Sequence, residues 1–247
     1  CIVVDSRENP PQLESLRREF PDIEYQLGGF DAATLATAEQ LIVSPGVSLK
    51  TPEIAAAIAA GVPVTGDIDI FSRVCTAPIV GVTGSNGKST VVSMLASIFQ
   101  AAGVKVAVGG NLEAGLGQPA LDLLARDAML YVLELSSFQL ETTAQLNAEV
   151  AVLLNVSEDH MDRYGDMAAY AGAKQRIFAG AKHLVVNRDL LDTWPMIAPD
   201  AQRWDFGFSR PGMHGVGLLE GSGGQFIAWH HDPVIPVSEL KVIGQHN

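Results

Sequence analysis

Basic residues are scarce in this chain: 16 Lys and Arg stand against 28 Asp and Glu, a formal charge of −12 over 247 residues. A nucleic-acid binder carries a basic stripe or patch, and no stretch of the sequence supplies one. No nucleic-acid partner is expected. Cysteine is nearly missing as well. Cys1 and Cys75 form neither a disulfide framework nor a metal-ligand spacing, which fits two reduced thiols in a cytoplasmic protein. No uninterrupted apolar run approaches the roughly 20 residues of a spanning helix, so no membrane segment is expected. Acidity leaves one class open. A glycine loop at a helix N-terminus holds phosphates with backbone N–H groups and only one or two cations.

What is present is aliphatic. With 47% hydrophobic residues, the chain can fill one large α/β core or two smaller ones. It opens without methionine on Ile2-Val3-Val4, a strand already under way, and stops at Gly244-Gln245-His246-Asn247. Both ends read as cuts in a longer protein.

Residues 1 to about 75 alternate strand and helix. Residues 2–4, 41–43 and 62–64 read as short apolar strands, and 12–20, after Pro10-Pro11, as a helix. Thr51-Pro52-Glu53 supplies an N-cap, a proline at the first helical position and an early acid, and Gly61 stands where a helix C-cap belongs. Such alternation predicts a parallel sheet covered by helices. The best boundary is Ala77-Pro78, where a stronger series begins. Strands are expected over 79–82, 104–108, 130–135 and 150–156, with a helix over 91–102 ended by Gly103. After Pro199, glycine-rich turns separate short alternating stretches such as 225–229, which predicts a small antiparallel β section.

The strongest chemical feature is Thr83-Gly84-Ser85-Asn86-Gly87-Lys88-Ser89-Thr90, set between a strand and a helix. Glycines let the backbone curl so that N–H groups face a phosphate, Lys88 neutralises β/γ charge, and the Ser89 hydroxyl reaches Mg²⁺. Its spacing departs from the common GxxxxGK[ST] loop, because position 82 is Val and the nearest glycine is Gly84. A glycine-rich turn without phosphate is the competing reading.

Three more polar clusters follow strands: Gly109-Gly110-Asn111, the segment from Glu134 to Ser137, and the segment from Asn155 to His160. In a parallel sheet all four emerge at one carboxyl edge, where open α/β proteins bind ligands. Glu134 interrupts an apolar strand, and a buried carboxylate needs a cation or hydrogen bonds. Mg²⁺ beside ATP supplies the first; a structural ion pair or an exposed strand end supplies the alternative. His160 gains weight only from its place beyond a strand end. Lys174 lies on the apolar stripe Met167, Tyr170, Ala171, Lys174, Ile177, Phe178 and Ala181, behind a possible Asp166 cap. A lysine there must snorkel, pair or lose its charge, and periodicity alone favours snorkelling. Asp5-Ser6-Arg7 follows the first strand, and by itself it is a weak signal.

TGSNGKST, Gly109-Gly110-Asn111, ELSSFQLE from Glu134 to Glu141, LNVSEDHMDRY from Leu154 to Tyr164, AKQRIF around Lys174 and the terminal GQHN stand in one order. In that order they resemble the Mur ligase family over nearly the whole chain. ELSSFQLE and the early DSR favour its D-glutamate-adding branch. The phosphate loop alone does not separate that branch from sister Mur ligases or folylpolyglutamate synthetase-like ligases. A P-loop kinase or GTPase is disfavoured, since no NKxD-like motif is present. A non-catalytic nucleotide-binding fragment is the remaining alternative.

The resemblance implies a partial Rossmann-like, UDP-binding domain over 1–76 and a P-loop-type ATP-binding domain with a mainly parallel sheet over 77–247, short of its end. It also implies a C-terminal amino-acid-binding domain outside this sequence, so the 247 residues alone are expected to have little activity. Asp5, Ser6 and Arg7 would contact uracil. Ser44 and Asn111 would contact the diphosphate or sugar region, with Ser136, Gln139 and His160 nearby. Thr83 to Thr90 and Asn247 would serve ATP, and Lys88, Glu134, His160 and Lys174 the catalysis. Ser89 and Glu134 would hold a first Mg²⁺, and His160 and Lys174 a second, with Lys174 as a carbamate. The implied substrates are ATP, D-glutamate and UDP-N-acetylmuramoyl-L-alanine, joined through an acyl phosphate by a cytoplasmic monomer of peptidoglycan biosynthesis. Leu112 to Pro119 is longer than the family's tight turn after the asparagine.

Overall fold

A computed structural model describes residues 1–112, 118–195 and 200–241. The chain forms two compact units, Cys1–Thr65 and Gly66–Asn247.

The first unit runs β1 (Ile2–Asp5), α1 (Leu13–Glu19), β2 (Glu24–Leu27), α2 (Ala32–Ala36), β3 (Leu41–Ile42), α3 (Pro52–Ala59) and β4 (Val64–Thr65). β1 pairs in parallel with β2, and β3 in parallel with β4. Its core gathers Leu35, Leu41, Val43, Ile54, Ala57 and Val62. Thr51 stands at the N-cap position of α3 but its hydroxyl makes no capping bond; Pro52 starts the helix instead. Asp31 does cap α2, its carboxylate accepting from the Thr34 N–H at 2.9 Å.

The second unit continues with α4 (Asp67–Val74), β5 (Ile79–Thr83), α5 (Lys88–Ala101), β6 (Val106–Gly110), α6 (Ala120–Leu123), β7 (Leu130–Glu134) and α7 (Ser137–Glu141). Then come β8 (Val150–Leu153), α8 (Met161–Tyr164), α9 (Met167–Gln175), β9 (His183–Asn187), β10 (Gln202–Phe206), β11 (Gly215–Gly221), β12 (Gly224–Trp229) and β13 (Asp232–Pro236). One nine-stranded sheet has the order β13-β12-β11-β10-β9-β8-β5-β7-β6.

From β6 across to β11 every pairing is parallel; only β11–β12 and β12–β13 are antiparallel. The glycine-rich end supplies the expected small antiparallel section, β11 to β13, at one edge of the same sheet. β10 pairs with β9 and extends the sheet before the hairpin turns back.

Successive residues of the central strands feed opposite faces. Ile79, Tyr131, Leu133, Ala151 and Leu153 join one core, while Val80, Val82, Val132 and Val152 join another under α5. Both faces are dry, as expected of parallel strands covered by helices. Each buried Val, Leu or Ile contributes roughly 1.5–3 kcal/mol, so these strands form the rigid part of the unit.

The second unit begins at Gly66, ahead of the Ala77-Pro78 step that the sequence singles out. The reason is α4. Ile68 and Phe71 are fully buried, the Phe71 ring meets Tyr131 edge-on at 5.2 Å, and the Asp69 carboxylate accepts from the Ala144 N–H at 2.7 Å.

Candidate functional site

β6, β7, β5 and β8 lie side by side, so the four polar clusters emerge at one carboxyl edge. After β5 the chain crosses to β6 on one side, and after β8 it moves to β9 on the other. Adjacent parallel strands whose connections part in this way leave a crevice between their ends, the usual ligand position in open α/β sheets. The loop after β5 and the segment after β8 meet there.

They are tied together by hydrogen bonds. The Thr83 hydroxyl donates to the Leu135 carbonyl at 2.7 Å. The Ser85 N–H donates to the Asn155 carbonyl at 3.0 Å, and Ser85 Oγ accepts from the Ser157 N–H at 3.0 Å. Asn155 clasps Asn86 on both sides: Oδ1 accepts from the Asn86 N–H at 2.9 Å and Nδ2 donates to the Asn86 carbonyl at 3.0 Å. Gly87 precedes α5 at φ 80°, a left-handed conformation that costs glycine little. The first N–H groups of α5 have no intrahelical partner and carry the positive end of the helix dipole. Lys88 Nζ reaches back to the Ser85 carbonyl at 3.2 Å.

Glu134 closes the mouth of this loop. It is 3% exposed, and its Oε2 accepts from the Ser89 hydroxyl at 2.7 Å. Among the described residues it has no ion-pair partner. A buried carboxylate without a cation is costly, and the Ser89–Glu134 oxygen pair beside a phosphate loop fits a hard divalent cation such as Mg²⁺. Among the described residues no group of three or more His, Cys, Asp or Glu is placed to hold a metal. A cation here would complete its shell from phosphate oxygens and water.

Lys174 does not snorkel. It is 2% exposed, with Nζ donating to the Gly84 carbonyl at 3.0 Å and lying 4.5 Å from the Tyr170 ring centre. Burial, and then the charge of Lys88, lowers its ammonium to about 7. His160 sits at φ 54° ahead of α8, exposed, with its ring 4.7 Å from Phe138 and 6.3 Å from Tyr170. The Tyr170 hydroxyl is 3.3 Å from Ser85 Oγ. Lys88, Ser89, Glu134 and Lys174 thus surround the loop, and His160 joins them through Tyr170.

The remaining expected residues are placed differently. The Asn111 N–H donates to the Glu134 carbonyl at 2.8 Å, and its residue is exposed. Just before it, Gly110 has φ 94°, and a Cβ there would lie 2.2 Å from the Glu134 carbonyl oxygen. Ser136 and Gln139 form a reciprocal capping box at the start of α7. The Gln139 side chain is buried and donates to Asp67 at 3.2 Å.

In the first unit, Arg7 grips Asp5 through Nε at 2.9 Å and its second guanidinium nitrogen at 2.8 Å, which holds the Asp5 carboxyl down at about 2. Ser6 and Ser44 are exposed. Asn247, and residues 113–117 of the long turn after Asn111, lie outside the described residues. The clasp by Asn155, the Phe138 surface under His160 and the Asp67 contact to Gln139 were not legible beforehand. All three join residues far apart in the chain, and only the polarity of the segment after β8 hinted at the first.

The Mur ligase middle domain matches residues 82–247, and the Mur ligase MurD-like N-terminal domain matches residues 1–66. A UDP-N-acetylmuramoylalanine--D-glutamate ligase of Pseudomonas aeruginosa is 54% identical over 245 residues, covering 99% of this chain and 54% of the relative. A ligase of the same name from Marinobacter nauticus is 47% identical over the same shares. The chain spans about half the length of the curated relatives it matches.

Among solved structures, the UDP-N-acetylmuramate:L-alanyl-gamma-D-glutamyl-meso-diaminopimelate ligase of Neisseria meningitides aligns with a TM-score of 0.57 at 20% identity, over 99% of this chain and 81% of that one. That likeness speaks for the fold alone. With both domain matches in chain order and the phosphate loop inside the larger, this chain belongs to the Mur ligase family.

Proposed function

We propose that the full-length protein is an ATP-dependent amide ligase that adds D-glutamate to UDP-N-acetylmuramoyl-L-alanine in peptidoglycan biosynthesis, as a cytoplasmic monomer. The buried Glu134–Ser89 pair at the mouth of the phosphate loop carries the reading. The names of the relatives at 54% and 47% identity supply the substrates. In this scheme the first unit, Cys1–Thr65, holds the UDP group through Asp5, Ser6, Arg7 and Ser44, and the second unit holds ATP, with Asn247 near the adenosine. Asn111 contacts the diphosphate or sugar region, with His160, Ser136 and Gln139 nearby, the last two at the start of α7, which they cap. The amino acid is bound by a further C-terminal domain.

The chemistry is an activation followed by a displacement. The L-alanyl carboxylate oxygen attacks the γ-phosphorus of ATP, a P–O bond forms, and ADP leaves. The D-glutamate amine then attacks the acyl carbon, the C–N bond forms, phosphate leaves and the amine loses a proton. Phosphoryl transfer needs positioning and charge neutralisation above all. Lys88 and the N–H groups of the loop supply both to the β/γ-phosphates. When bound, Mg²⁺ adds charge neutralisation between those oxygens.

Ser89 and Glu134 would hold the first ion, and His160 and Lys174 the second. An amine lowered to about 7 is unprotonated in about half of the molecules near neutral pH. Neutral amine is the form that attacks CO₂: an N–C bond forms, a proton leaves, and the buried amine would become an anionic carbamate able to offer an oxygen to a cation.

The test is ADP release by the full-length protein. Release that requires both UDP-N-acetylmuramoyl-L-alanine and D-glutamate is expected. ATP hydrolysis indifferent to both would refute the reading.

A further inference from the structure

His160 is held in an unusual way. A non-glycine residue at φ 54° and ψ 34° is uncommon, and such residues cluster where a side chain must be aimed. Its ring, however, has little to aim it by hydrogen bonding. Among the described residues its one polar neighbour is Asp159, with Oδ2 3.5 Å from Nε2, and the side chain is 45% exposed. Aromatic surface does the holding, with Phe138 at 4.7 Å and the Tyr170 edge at 6.3 Å.

Phe138 is itself clamped. The Arg163 guanidinium lies 4.0 Å from the Phe138 ring centre. Arg163 donates to the Glu141 carboxylate at 2.6 Å, with the two side chains only 10% and 17% exposed. The spacing is reciprocal. Phe138 and Glu141 are three apart on α7, and so lie on one face; His160 and Arg163 are three apart at the start of α8.

An ion pair withdrawn from water this far is a poor source of stability, since two apolar side chains in its place serve as well or better. What it supplies is a fixed angle. A planar guanidinium bonded to a carboxylate stacks on a ring in one orientation. Burial, and the nearby Glu141, push the Tyr164 phenol up and keep it neutral beside this stack. Tyr164 lies near-parallel to the Phe138 ring at 6.1 Å and closes its remaining freedom.

We propose that Phe138, held by the Arg163–Glu141 pair, is a positioning residue that sets the direction of the His160 imidazole. The inference rests on His160 belonging to the catalytic site. The segment that carries Glu134 then also orients His160, through Phe138 and Glu141 four and seven residues later.

The test uses the full-length protein with labelled histidine, with the His160 ring resonance assigned by H160Q. Glu141→Gln and Arg163→Lys leave the Phe138 ring in place but loosen its clamp; F138L removes it. In wild type the His160 ring protons are expected to be shifted by the Phe138 ring current, with the two ring centres 4.7 Å apart. F138L is expected to abolish that shift, and E141Q and R163K to move or split the resonance. Turnover should fall about tenfold or more, as for a site group displaced by a fraction of an ångström, with KM for ATP changed less than about twofold. An unaltered His160 resonance and unaltered turnover in E141Q and R163K overturn the proposal, whatever happens to the melting temperature. An H160Q protein with full turnover refutes the site reading instead, and the resonance still decides the positioning claim.

Discussion

The phosphate loop and the Asp5-Ser6-Arg7 turn both follow a parallel strand, yet they are built in opposite ways. The loop leaves β5, an interior strand with β7 on one side and β8 on the other. It is bonded to Leu135, Asn155 and Ser157, residues 52 to 72 positions away. The turn leaves β1, whose one partner strand is β2, and its polar groups mainly bond each other, Arg7 to Asp5, with Arg7 61% exposed. A site on an interior strand inherits rigidity from the sheet, and its residues serve stability and binding together. A self-satisfied turn on a small sheet can lose a side chain without the fold noticing.

The contrast makes graded predictions. Among the described residues Lys88 Nζ has one hydrogen-bond partner, the Ser85 carbonyl, and the proposed function puts a phosphate beside it. Lys88→Ala should cost turnover about 10³-fold, the scale of losing one preorganised charge at the transition state. Its melting temperature should match wild type, as calorimetry will check.

Asn155→Ala removes the clasp on Asn86. It should destabilise the protein by about 1 kcal/mol in urea unfolding, because two exposed hydrogen bonds go at once, and weaken ATP binding in parallel.

Lys174 sharpens the comparison through pH. Burial lowers its folded value to about 7 against the ordinary 10.5, so between those limits the unfolded chain binds the extra proton. In CO₂-free buffer wild-type stability should therefore rise as pH climbs from 7 towards 10.5, and be lost as pH falls through 7. Lys174→Met should flatten that rise in pH-dependent denaturation curves.

Arg7→Ala closes the series. Its effect on stability should stay within about 0.5 kcal/mol, as for an exposed surface residue, while calorimetric titration with UDP shows weaker binding.

Much of the second unit was legible because its signals are local. A Val- and Ile-rich run, a glycine loop and a capped helix sit within 25 residues around Lys88, and parallel alternation then places four polar strand ends on one edge. The rest depends on distant partners. Asp67 to Val74 carries three charged residues in eight and no long apolar run; only Tyr131 and Ala144 reveal that Phe71 and Asp69 are interior. Lys174 reads as a snorkelling lysine because its helix is amphipathic. The carbonyl that receives it belongs to Gly84, 90 residues earlier. The same stripe predicts one helix through Ala181, whereas α9 ends at Gln175 and a tighter turn at Arg176–Phe178 delivers Ile177 and Phe178 to the core. Gln139 reads from the motif as a neighbour of the substrate region, and its capping role and its bond to Asp67 appear only in three dimensions.

The central claim is that Glu134 and Ser89 are paired to share a cation with a bound nucleotide. A crystal structure of the full-length protein with Mg²⁺ and a non-hydrolysable ATP analogue tests it most directly. The account predicts an ion about 2.1 Å from an oxygen of the nucleotide and from the Ser89 hydroxyl, with Glu134 turned to it directly or through one water and Lys88 on the γ-phosphate. A nucleotide bound elsewhere, or a Glu134–Ser89 bond left intact beneath a bound triphosphate, would contradict it.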